Sequence, residues 1–152
     1  MRKHKIGFEW NRITPNIYLG TNMCCQMHFD KKLLKKGITA DISLEKERMD
    51  AAYGVDYYLW LPVKDKTAPK QAQLRVGVEI LEELIEMNKK VYIHCKNGHG
   101  RAPTLVAAYL IGEEGFSVKK AISFIKKKRT TIHLEPSQKK ALERFGKSLN
   151  KK

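Results

Sequence analysis

Between residues 70 and 88, apolar side chains return every three or four positions, at Leu74, Val78, Leu81, Leu84 and Ile85. That period puts them on one side of a helix, so an amphipathic, half-buried helix is predicted there. Other stretches follow a different pattern. "VDYYLWLPV" is dense in aromatic and β-branched residues and reads as a strand ending at Pro62. "ITADISL" alternates well enough for a strand, and "KVYIHC" is a short apolar run of the kind buried inside a sheet. "RITPNIYLG" reads as two short strands around a Thr-Pro-Asn turn, closed by Gly20. "APTLVAAYLIGEEG" is apolar nearly all round and predicts a central helix, with Pro103 in its first turn and Gly115 as its stop. Two more helices follow, "SVKKAISFIKKKR" with Ser117 as N-cap and "EPSQKKALERFGKSLN" with Pro136 near its start. "QMHFDKKLLKKG" is expected to be helical, with Phe29, Leu33 and Leu34 on one side and Gly37 as its stop. "EKERMDAAYG" is expected to be a short helix or loop, and "KDKTAP" a loop.

Strands alternating with helices imply an α/β layer fold. The expectation is a single domain across residues 1–152, its core at about 12–145, with a central, mostly parallel, mixed sheet of about 4–5 strands flanked by helices. No repeat, low-complexity segment or linker interrupts it. In such sheets sites lie beyond the carboxyl ends of the strands. Residues 91–95 end there, and Cys95 is the last of them.

Charge narrows the range of partners. Thirty Lys and Arg against sixteen Asp and Glu give a formal net charge of +14. Such an excess favours phosphorylated groups, acidic lipid or nucleic acid. Most of the lysines fall in short runs at helical spacings and read as solvated faces. No apolar run approaches the ~20 residues of a membrane span, and "MRKHKIGFEW" lacks the apolar stretch of a secretory leader. A cytoplasmic protein is expected. Among Cys24, Cys25 and Cys95 no pair has zinc-ligand spacing, and no even disulfide framework appears. Cys24 and Cys25 are expected to be buried, inert thiols.

Cys95 stands in a different setting. "VYIHCKNGHGRAPT" runs from a strand through a tight loop to a helix N-terminus, a sequence of elements that gathers backbone N–H groups and positive dipole around one point. Gly98 and Gly100 permit positive φ, so the loop can curl with its amides inward. Arg101 adds a planar fork of donors suited to an oxyanion. A thiol in such a field is expected to be held as thiolate.

"HCKNGHGR" matches the His-Cys-x5-Arg signature of the cysteine-based protein phosphatases. The wider chain resembles their dual-specificity branch, in its small prokaryotic or archaeal form. "ITPNIYLGTNM" is similar to that family's opening stretch, "ITADISLEKE" to its strand with a following acidic residue, and "YLWLPVKDKTAP" to its strand leading into the general-acid loop. The resemblance implies that Cys95 attacks phosphorus to form a cysteinyl-phosphate. It implies that Lys96, Asn97, Gly98, His99, Gly100 and Arg101 bind the phosphoryl oxygens, and that Asp65 protonates the leaving oxygen. Asp56, at the beginning of the same strand, should point away from the site. His94 would orient the loop through a hydrogen bond, and Gln138 would help position the hydrolytic water. No metal or organic cofactor is implied.

One position departs from the family. Where a serine or threonine usually assists departure of the cysteine, this chain has Ala102, and Thr104 stands two residues on. Hydrolysis of the intermediate is therefore expected to be slow. Short loops, with Tyr53 as the sole aromatic near the right place, imply a shallow pocket. The expected substrates are proteins or peptides phosphorylated on tyrosine and on serine or threonine. Lys96 beside the nucleophile, together with the net charge, keeps a phosphoinositide, nucleotide or RNA 5′-phosphate substrate in view, though nucleic acid is not the expected partner. A phosphate-binding module with little turnover is the non-enzymatic alternative, and Ala102 alone supports it.

Overall fold

In a computed structural model the described residues are 8–23 and 26–150; Cys24 and Cys25 lie outside them. Five strands form one sheet in the order β1-β2-β5-β3-β4. Strand β1 is Trp10–Arg12, β2 Ile17–Gly20, β3 Ile38–Glu45, β4 Tyr57–Val63 and β5 Lys90–His94. The β1–β2 pair is antiparallel, and the other three pairings are parallel. The mixed α/β architecture is the expected one. The first two strands turn at Thr14, whose hydroxyl accepts from the amides of Asn16 and Ile17.

A parallel return needs a crossover, which contains a helix from β2 to β3 and from β4 to β5 and is a loop from β3 to β4. Helix α1 spans Lys31–Lys35, α2 Gln71–Glu86, α3 Arg101–Glu114, α4 Val118–Lys128 and α5 Pro136–Leu149. On one face of the sheet, Ile17, Leu19, Ile42, Leu44, Val91 and Ile93 share a core with buried residues of α2, α3, α4 and α5. Helix α3 lies at its centre, and every residue from Arg101 to Ile111 is buried. Its all-round apolar pattern follows from that position. Gly115 ends it in the left-handed region at φ 70°.

The opposite face carries a smaller cluster of Tyr18, Met23, Phe29, Leu33 and Tyr92. Here the expected helix over 26–37 is corrected: only Lys31–Lys35 is helical. Asp30 takes the N-cap, its carboxylate accepting from the amides of Lys32 and Leu33. A cap residue has non-helical dihedrals, so the chain before it cannot continue the helix. Phe29 is instead buried edge-to-face against Tyr92. The 46–56 segment is loop rather than helix.

Candidate active site

The site lies past the carboxyl end of β5. Strand alternation sends neighbouring side chains to opposite faces. Cys95 joins the helix-side core, whereas His94 stacks on Tyr92 on the other side. Cys95 is 2% exposed, and its Sγ lies 3.5 Å from the Ala102 amide at the start of α3. A cavity of about 100 Å³ opens above it, edged by Asp65, His99, Arg101, His133 and Gln138.

The loop between Cys95 and Arg101 is held tightly. Gly98 adopts φ 68°, and a Cβ there would come within 2.7 Å of the Gly20 carbonyl oxygen. Only glycine meets both demands at low cost. A Cβ on Gly100 would lie 2.8 Å from the Gln138 side-chain oxygen. Arg129, at the C-cap of α4, is buried and reaches the loop from outside the cavity. Its Nε donates to the Gly98 carbonyl at 3.1 Å, its Nη2 to the Asn97 carbonyl at 2.9 Å and its Nη1 to Asn11 Oδ1 at 2.8 Å. Sequence reasoning missed this residue, because "FIKKKR" reads as a solvated basic run. The single change from lysine to arginine at its end was the available signal.

Arg101 is buried, and two neighbours hold one end of its fork. Its Nη1 donates to the Val63 carbonyl at 2.7 Å and to Glu47 Oε1 at 2.8 Å. Burial opposes ionisation of Glu47, but the hydrogen bond from Arg101 outweighs it and holds the carboxyl below the usual range. The Arg101 Nη2 lies 3.5 Å from Asp65 Oδ1. Asp65, 57% exposed, thus stands at the cavity mouth over the guanidinium. Asp56 is exposed at the opposite end of β4, away from the cavity.

The loop that carries Asp65, after β4, is braced as well. Lys66 has φ 65°, an uncommon conformation for a lysine. The Thr67 hydroxyl and amide both bond to the Lys64 carbonyl. Gln138 is buried, donates to the Thr67 carbonyl at 3.0 Å and accepts from the Glu135 amide at 2.8 Å. It therefore ties the Asp65 loop to the start of α5.

Next to Cys95, on the other face of the sheet, lies a buried polar cluster. His94 Nε2 is 2.6 Å from Asp50 Oδ2 and 3.1 Å from Asp41 Oδ1. Burial opposes charge on His94, yet the two carboxylates outweigh it and push its pKa up to about 10. Burial drives Asp41 up to about 7, while the hydrogen bond from His94 overcomes burial at Asp50 and brings it to about 2. His94 is therefore held from the side away from the cavity. Asp41, a charge at the centre of a buried strand, was legible as an anomaly; Asp50 was not.

Two expected participants fall elsewhere. The Lys96 side chain is exposed and does not line the cavity; only its carbonyl is engaged, by the Asn22 amide. Thr104 turns its hydroxyl back to the Gly100 carbonyl at 2.7 Å and does not face the thiol. His99 lines the cavity, and burial with nearby Arg129 lowers its pKa, so it adds little charge at neutral pH.

Fold and loop together define the class, an α/β domain with a cysteine at the floor of a tight loop and an arginine at its end. The family follows from the sequence as a whole: the dual specificity phosphatase catalytic domain matches residues 17–148, and the chain belongs to that family. It is 30% identical over 123 residues to dual specificity protein phosphatase 5 of Homo sapiens, covering 79% of this chain and 31% of that protein. It is 29% identical over 148 residues to the phosphatidylglycerophosphate phosphatase PTPMT2 of Arabidopsis thaliana, covering 90% of this chain and 62% of that one. The chain therefore spans about a third of the first relative's length and under two thirds of the second's. The crystal structure of PTPMT1 in complex with PI(5)P has the same fold, with a TM-score of 0.82 at 29% identity over 92% of this chain and 96% of that one.

Proposed function

We propose that the chain hydrolyses phosphomonoesters through a cysteinyl-phosphate on Cys95. The observation that carries this reading is the convergence of three groups on one cavity. Cys95 sits at its floor, the buried Arg101 at its side and the exposed Asp65 at its mouth, 3.5 Å from the Arg101 fork. The Cys95 thiolate attacks phosphorus as the ester P–O bond breaks, and Asp65 gives its proton to the leaving oxygen. The loop amides of 96–101 and Arg101 stabilise the charge on the non-bridging oxygens. A water then gives its proton to Asp65 and attacks phosphorus, the S–P bond breaks, and inorganic phosphate leaves. General acid catalysis of this kind contributes ~10²–10⁴-fold.

Proteins and peptides phosphorylated on tyrosine and on serine or threonine are the leading substrates. The cavity is small, and Tyr53, the one aromatic candidate for a deep wall, is 76% exposed and does not line it. A phospholipid headgroup is the second reading. It is favoured by the similarity to PTPMT2 of Arabidopsis thaliana and to PTPMT1 solved with PI(5)P.

The test is hydrolysis of para-nitrophenyl phosphate by wild type, Cys95→Ser and Asp65→Asn. Cys95→Ser should be inactive, and Asp65→Asn should lose ~10²-fold or more in kcat. Activity retained in Cys95→Ser would refute the mechanism. Comparing kcat/KM on phosphopeptides and on phosphatidylglycerophosphate then separates the two substrate classes.

A further inference from the structure

The catalytic loop leaves one large trough unused. It lies between α4 and α5, measures about 560 Å³, has Val118 and Ile122 along its floor, and is edged by Lys119, Lys126, Lys127 and Lys139. Glu143 is the one acid in its lining. All four lysines are exposed, and among the described residues no ion pair holds any of them. The trough is also joined to the active site. Lys126 Nζ donates to the Ile132 carbonyl at 3.2 Å, on the segment whose next residues, His133 and Glu135, edge the catalytic cavity.

We propose that this α4–α5 face docks onto a bilayer containing anionic phospholipid. Four ammonium groups that no carboxylate pairs among the described residues, around an aliphatic floor, match a layer of phosphate-bearing headgroups above hydrocarbon. Lysine stems extend their charges outward while covering apolar surface. Single-stranded nucleic acid would call for different features, namely aromatic platforms for stacking and arginine forks. Among the described residues no aromatic lines the trough, and Phe116 and Phe124, the nearest in sequence to its α4 residues, are half-buried and pack edge-to-face on each other, with Lys120 over Phe116. The fork of Arg129 is committed to the catalytic loop. Docking by this face would hold the catalytic cavity close to the membrane surface, whichever monoester it cleaves.

Sedimentation of the full chain with vesicles tests the proposal. Vesicles of phosphatidylcholine with phosphatidylglycerol should carry the protein down at low salt and release it at high salt, and phosphatidylcholine alone should not bind it. A lysine at an anionic surface is worth roughly fivefold in partitioning. The triple variant Lys119→Gln, Lys127→Gln, Lys139→Gln should therefore bind about 100-fold more weakly, with turnover of para-nitrophenyl phosphate unchanged. Cys95→Ser should sediment like wild type, so failure of docking and failure of catalysis are read separately. Equal binding to neutral vesicles, a triple variant that sediments like wild type, or single-stranded RNA that displaces the protein from vesicles would each overturn the proposal.

Discussion

Ala102 is fully buried, and it offers the cysteine a backbone N–H but no hydroxyl. Thr104 cannot substitute, since its hydroxyl is spent on the Gly100 carbonyl. In the proposed mechanism the thiolate leaving the phosphoenzyme therefore lacks one hydrogen bond. A hydrogen bond to a charged group is worth about 1.5–3 kcal/mol. Rapid-mixing kinetics should show a burst of product followed by a slower steady rate, and Ala102→Ser should raise that steady rate about tenfold or more. No burst, with the variant unchanged, would contradict this. Cys95 and Arg101 were legible because strand, loop and helix follow one another locally, whereas Asp65 was singled out by the resemblance of its stretch to the family. The Asp50 carboxylate was not, since it reaches His94 across 44 residues of chain.

Two elements owe their placement to single residues. Arg129 caps α4 and satisfies two loop carbonyls that would otherwise be buried without a donor. Each unsatisfied group costs about 1–3 kcal/mol. Arg129→Met should lower stability by several kcal/mol and reduce kcat on para-nitrophenyl phosphate at least tenfold, with Arg129→Lys between it and wild type. Thermal melts beside turnover would check both effects. Unchanged turnover would remove the arginine from the support of the loop. Gly77 sits mid-helix in α2, where a Cβ would meet Leu105 Cδ1 at 2.6 Å and Leu61 Cδ1 at 3.2 Å. Alanine is the better helix former by about 1 kcal/mol. Leu105, though, is fully buried, and overpacking costs about 1–3 kcal/mol. Gly77→Ala is thus expected to lower the denaturation midpoint; a higher one would mean the α2–α3 contact can relax. The helix period of α2 was plain in the sequence, but the reason for a glycine within it appears only where two helices meet.

At the scale of the molecule, the Asp41–His94–Asp50 cluster joins β3, β5 and the 46–56 loop through charge, with Arg48 beside Asp50 and Tyr92 stacked on the imidazole. The folded state raises His94 from 6.5 to about 10, so its contribution is complete below its unfolded pKa and is lost as pH rises through 10. Asp41, raised from 3.8 to about 7, binds its proton more tightly when folded and so costs stability as pH climbs across that interval. Asp50, lowered to about 2, contributes above its unfolded pKa of 3.8 and fails only as pH falls toward 2. Urea unfolding should therefore show stability falling between pH 7 and 10, and His94→Gln should flatten that fall. An identical pH profile in the variant would mean that the cluster is uncharged.

Periodicity and turn chemistry determined the class of fold and the strand-loop-helix that holds Cys95, because each depends on residues close along the chain, whereas the part expected of Asp65 came from the family resemblance. Tertiary structure decided what surrounds them. The Arg129 strut, the Glu47 and Asp65 contacts on Arg101, the Gln138 tie and the charge behind His94 all join segments far apart in sequence. Folding brings such groups together in a buried setting, where each polar atom must find a partner, and local patterns do not encode which one it finds.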